Sequence, residues 1–142
     1  MTIATILEGK GREVISIGAD SAVREAVALL AERKIGALPV LDGGRVAGIM
    51  SERDVIYCLA RDGASVLDWP VGRVMTAPAI TVEPKVSALA ALSQMTKRRI
   101  RHLPVVDGGN LVGLVSIGDL VAYRISRIEE EAEAMRAYIQ SA

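Results

Sequence analysis

Two short stretches carry side chains whose types and spacing could hold a ligand. "GIMSERD" (48–54) and "GLVSIGD" (113–119) each place a serine three positions before an aspartate, Ser51 before Asp54 and Ser116 before Asp119. A hydroxyl and free backbone N–H groups at a helix N-terminus favour an anion such as phosphate. One turn on, an acceptor-only carboxylate suits the paired hydroxyls of a ribose. The same Ser-x-x-Asp spacing also makes an ordinary capping box, and the local pattern leaves both readings open. Arg53 adds a cation inside the first motif. Arg101 and His102 add two more ahead of the second, at positions where the first motif is preceded by Gly36 and Ala37.

The motifs are part of a larger duplication. Sliding the chain by 65 positions brings Leu38-Pro39-Val40 onto Leu103-Pro104-Val105, Asp42-Gly43-Gly44 onto Asp107-Gly108-Gly109, and Gly48, Ser51 and Asp54 onto Gly113, Ser116 and Asp119. Each copy parses into the same elements. "EVISI" (13–17) and "PAITV" (78–82) are short β-branched segments that read as strands. Val23, Ala26, Val27 and Leu30 recur at helical spacing, with Asp20 or Ser21 as N-cap; Val86, Leu89, Leu92 and Met95 repeat the pattern and end in Lys97, Arg98 and Arg99. Two apolar runs then flank Asp-Gly-Gly, a hairpin signal, and lead to Ser51 or Ser116 at the start of a closing helix. The predicted unit is β-α-β-β-α. The fold class is therefore mixed α/β (α+β), two tandem repeats packed together so that each covers the other's apolar face. The units span 6–67 and 75–131, with a C-terminal helix extension over 132–142. The connector between them holds one short helical turn near Val71–Met75.

Composition narrows the function. Of the 142 residues 51% are hydrophobic and 24% charged, which predicts a folded, aliphatic-cored chain. Lys plus Arg balances Asp plus Glu at 17 each, so no overall field draws in nucleic acid. Cys58 is the single cysteine, which precludes an intrachain disulfide and the usual multi-thiolate metal sites. The first residues lack the pattern of a signal peptide and no apolar run reaches membrane-spanning length, so a cytoplasmic location with no membrane contact is expected. No nucleophile stands beside a base and no phosphate-loop or metal-ligand motif is present, so the chain is expected to bind rather than catalyse.

The remaining features have modest readings. Cys58 reads as a small buried apolar residue, Trp69 as a packing anchor, and Glu129–Glu133 as a wet helix face. His102, next to a strand, reads on its own as a surface or edge histidine. Val121, Ile125, Ile128, Ala132, Met135 and Ile139 form an alternating three- and four-residue seam, which would lie on its own unit or meet a second copy.

The tandem units, the "LPVLD" and "LPVVD" strands and the closing Gly-hydrophobic-x-Ser-x-x-Asp resemble a pair of CBS (cystathionine β-synthase) domains, a Bateman module, over nearly the whole chain. "RHLPV" with "GLVSIGDLV" is similar to small stand-alone bacterial CBS-pair proteins and to the nucleotide-sensing γ subunits of AMP-activated protein kinases. The resemblance implies repeats packed with pseudo-twofold symmetry and two clefts, related by that axis, for adenine nucleotides such as AMP, ADP, ATP or NAD. In them Asp54 and Asp119 would hold the ribose, and Ser51, Ser116, Arg53, Arg101 and His102 would lie near phosphate. Ser16, Ile17, Thr81 and Val82, with Ile15 and Ile80, would contact the adenine. It also implies a homodimer and a regulatory role, with a ligand-free interaction module as the alternative.

Overall fold

The computed structural model describes residues 2–11 and 13–141. Helix α1 (Ile3–Lys10) precedes the first repeat, which runs β1 (Ile17–Gly18), α2 (Val23–Arg33), β2 (Ala37–Asp42), β3 (Arg45–Ser51) and α3 (Glu52–Asp62). A 3-10 turn over Gly63–Asp68 and the short helix α4 (Val71–Val74) lead to the second repeat. That repeat comprises α5 (Ala88–Arg98), β4 (His102–Asp107), β5 (Asn110–Ser116) and α6 (Ile117–Ser141).

Both hairpins form as the Asp-Gly-Gly signal predicts. Asp42 pairs with Arg45 and Asp107 with Asn110, which leaves two glycines in each loop. All four have positive φ, 60° and 79° in the first loop and 59° and 85° in the second, the requirement of a type I′ turn. The leading strands are shorter than expected. "EVISI" contributes only its last residue to β1, which runs parallel to β2, and "PAITV" is reduced to one parallel bridge between Val82 and Val105. β2 and β4 both break their antiparallel register beside these contacts, at Val40/Leu41 and Val105/Val106.

The helix starts differ in their caps. Neither Asp20 nor Ser21 caps α2; the cap position is Ala22, and the Val23 N–H donates instead to the Trp69 carbonyl at 2.8 Å. The connector thus supplies the partner that a side-chain cap would have given. α5 begins later than its apolar pattern suggests, with Ser87 accepting from the Ala90 N–H at 3.0 Å, and Leu89 is exposed.

Each repeat has its own core, and each core borrows a helix from outside its repeat. Val71 and Val74 of α4 pack with Val23, Leu38 and Met50 in the first core. Ile3 and Ile6 of α1 pack with Met95, Leu103 and Val115 in the second. The sequence places residue 6 at the start of the first unit, whereas its side chain belongs to the second core. Backbone bonds repeat the exchange: Ile3 donates to the Val86 carbonyl, and Val71 to that of Ser21, the repeat mate of Val86. The closing helix α6 is continuous through the predicted extension, whose last residue lies outside the described ones. Its seam does not lie on its own unit: Ile125, Ile128, Met135 and Ile139 are 49–65% exposed.

Candidate functional site

The carboxylates of both motifs are first of all helix caps. At α3 the Asp54 N–H donates to Ser51 Oγ (3.2 Å), and the Ser51 N–H (2.9 Å) and hydroxyl (3.1 Å) donate to Asp54 Oδ2. At α6 the Asp119 N–H donates to Ser116 Oγ (3.1 Å), and the Ser116 N–H donates to Asp119 Oδ2 (2.8 Å). Capping fixes each carboxylate at a strand-to-helix junction but does not exhaust its acceptor capacity. Both of the sequence's readings of Ser-x-x-Asp are therefore compatible in one geometry.

Around Asp54 the repeats enclose a cavity of about 270 Å³. The first repeat contributes Ser51, Glu52, Arg53 and Asp54, with Ile49 below them. The second contributes Ile80, Arg99, Ile100, Arg101 and His102, and the connector adds Thr76, whose hydroxyl donates to Asp54 Oδ1 at 3.1 Å. The cleft thus combines an apolar wall, a carboxylate and several cations drawn from two different repeats. That arrangement suits a ligand with a flat apolar part, a diol and an anionic group.

The expected residues divide into those that border this cavity and those that do not. Ser51, Arg53, Asp54, Arg101 and His102 border it. Ser16, Ile17, Thr81, Val82, Ser116 and Asp119 do not. The Val82 side chain is in the second core at 5% exposure, and its backbone N–H and carbonyl are both taken by β4. The wall is formed by Ala79 and Ile80 instead. Ile17 likewise packs against the first core.

Three contributors escaped the sequence. Arg99 is the left-handed residue that ends α5 (φ 55°), and its repeat mate Lys34 ends α2 the same way (φ 54°). The sequence shows only a cationic helix end there. Thr76 lies in a connector with no motif. Lys10 gives no signal in the sequence, yet its ammonium donates to Asp119 Oδ2 and to the Leu114 carbonyl, each at 2.7 Å. Burial pushes the Asp119 carboxyl up, but the bonds from Lys10 and Ser116 more than offset this and hold it below its ordinary value.

The difference between the copies at 36/37 and 101/102 has a steric side. A Cβ on Gly36 would meet the His102 ring at 3.5 Å, and Ala37 is fully buried. An added methyl there would make only ordinary contact with the ring, so the imidazole of the second copy lies against the Gly36 backbone of the first. Burial lowers the His102 pKa, the Lys10 ammonium lowers it further, and Asp119 and Glu52 oppose the shift. The ring therefore tends to be neutral, a hydrogen-bonding partner rather than a fixed cation.

Comparison with known proteins places this fold. The CBS domain model matches residues 11–61 and 71–126. The mitochondrial CBS domain-containing protein CBSX3 of Arabidopsis thaliana is 35% identical over 98% of this chain and 72% of its own length. The structure of a protein with CBS domains from Burkholderia ambifaria superposes with a TM-score of 0.82 at 42% identity, covering 89% of this chain and 95% of that one. The CBS domain pair of protein MJ0100, solved with 5-methylthioadenosine and S-adenosyl-L-methionine, shares the fold at a TM-score of 0.79 and 24% identity, over 89% and 98% of the two chains. Among the described residues no helix is long and apolar enough to cross a membrane, and no group of three or more His, Cys, Asp or Glu side chains is placed to hold a metal ion.

Proposed function

The chain belongs to the CBS-domain family as a tandem pair, and from that premise we propose that it is a cytoplasmic regulatory protein whose inter-repeat cleft binds an adenine nucleotide of the AMP, ADP, ATP or NAD type. The observation that carries the proposal is the composite cavity at Asp54. Asp54 would accept from the ribose hydroxyls, Ile80 and Ile49 would flank the base, and Ser51, Arg53, Arg101 and His102 would face phosphate. Binding of adenosine compounds by a protein of the same fold supports the ligand class. Because both repeats line the cleft, a ligand there would favour one arrangement of the two units over others. That differential affinity is what a change in assembly or partner contact requires. The assembly we propose is a homodimer, since the α6 seam is exposed in the single chain.

The test is a thermal melt of ligand-stripped protein against AMP, ADP, ATP and NAD, with guanosine and cytidine nucleotides as controls. Ligand at a hundred times its Kd should add about 2.7 kcal/mol. Flat melts throughout would favour the alternative, an interaction module with no ligand. That alternative rests on a specific observation, the complete capping boxes that already employ both serine–aspartate pairs.

A further inference from the structure

The two carboxylates are related by the repeat but answered by different donors. After α4 the connector runs beside β3, where the Thr76 N–H donates to the Ile49 carbonyl (2.8 Å) and its hydroxyl to Asp54. The counterparts of Ile49 and Asp54 at an offset of 65 are Leu114 and Asp119. Helix α1 runs from Ile3 to Lys10 where α4 stops after four residues, and the extra length brings Lys10 to this pair. One ammonium thereby takes over both acceptors that Thr76 serves with its amide and its hydroxyl. The chemical outcome differs. A threonine hydroxyl leaves the carboxylate its full negative charge, whereas an ammonium at 2.7 Å neutralises it and occupies the oxygen that also caps α6.

We propose that Lys10 is a built-in competitor for Asp119, which sets the two clefts at unequal affinity and makes the Asp54 cleft fill first. This rests on the nucleotide reading, extended by the repeat to a second cleft at Asp119, and assigns Lys10 a specificity role within it. A ribose that reaches Asp119 must either displace the lysine from Oδ2 and the Leu114 carbonyl or bind Oδ1 of a carboxylate whose charge the ammonium already answers, while at Asp54 it has only a rotatable hydroxyl to rearrange. The ammonium can swing away without moving α1, because that helix is anchored by Ile3 and Ile6 and the lysine side chain is 41% exposed. The competition is therefore reversible, and its size is that of a half-exposed ion pair with one further hydrogen bond.

Two measurements on the full chain test it. Calorimetric titration with adenosine, in an Asp54→Asn background that confines binding to the second cleft, should show about three- to tenfold tighter binding when Lys10→Met is added. Lys10→Gln, which keeps a hydrogen bond but no charge, should give the same direction and guards against a folding defect in the methionine variant. Unchanged or weaker adenosine binding in both variants overturns the proposal, since Lys10 would then be a bystander or a ligand contact. Independently, carboxyl ¹³C titration should show the Asp119 pKa rising when Lys10 is neutralised, and no rise also overturns it. A rise without adenosine binding to either cleft of the parent chain upholds the neutralising pair, and the nucleotide reading is then what falls.

Discussion

Single side chains separate structural from ligand roles at this junction. Gly48 and Gly113 occupy the same repeat position, but a Cβ on Gly48 would lie 2.6 Å from the Thr76 carbonyl oxygen and one on Gly113 2.6 Å from Leu7 Cδ2. Backbone cannot yield as a leucine terminus can, so Gly48→Ala should cost about 1–3 kcal/mol and Gly113→Ala clearly less, read from urea midpoints. The titrating groups give a pH dependence of one sign. Asp119 is held below its ordinary 3.8, so its contribution is present above that value and lost as pH falls through the folded pKa. His102 is held below 6.5, so under that pH the unfolded chain takes up a proton that the folded ring resists, and stability again drops. Stability should thus decline on acidification from neutrality. His102→Gln should flatten the part of the curve just below about pH 6.5 and leave the carboxylate limb in place, as followed by denaturant midpoints against pH. A curve unchanged by that substitution would show that the imidazole meets no penalty on folding.

Elements show which sequence signals were sufficient. The Asp-Gly-Gly hairpins and the Ser-x-x-Asp helix starts were legible because the residues that specify them are local: two glycines at positive φ, and a serine and an aspartate three apart. The leading strands and the α2 cap were misjudged because their partners are distant. β1 depends on a partner in β2, and the Val23 N–H on the Trp69 carbonyl. The α6 seam was legible as a pattern, and its alternative of packing on the same unit is removed by the exposure of Ile125, Ile128, Met135 and Ile139. Apolar side chains spaced along one face and left in water are the surface a second copy could cover. In the proposed homodimer, Ile128→Glu with Met135→Glu should then raise the dissociation constant by on the order of a hundredfold in sedimentation equilibrium, with little change in the circular dichroism of the single chain. An unaltered dimer would place the contact elsewhere on the molecule.

At the scale of the whole molecule the repeats are not two beads on a string. The half of the candidate site that sequence alone revealed was the duplicated motif. The pairing of Asp54 with Arg101 and His102 across the repeats, and of Asp119 with Lys10, depends on how the units meet, which no local pattern encodes. The exchange of helices is the clearest case, since α1 lies beside the first repeat in sequence but in the second core, and α4 joins the first core. This reverses the outcome that chain order suggests for core mutations. Ile3 and Ile6 are 0% and 7% exposed, Val71 and Val74 0% and 6%. Truncating such side chains to alanine costs roughly 2–5 kcal/mol for isoleucine and somewhat less for valine, a large share of the roughly 5–15 kcal/mol that holds a domain folded. Ile3→Ala with Ile6→Ala should therefore strip hydrogen-exchange protection from α5, β4 and β5 while β2 and β3 keep theirs. Val71→Ala with Val74→Ala should do the opposite, although those residues sit on the approach to the second repeat. Loss of protection in the repeat next in sequence to each mutated helix would show that the helices pack at home and that the crossing is not how the chain folds in solution.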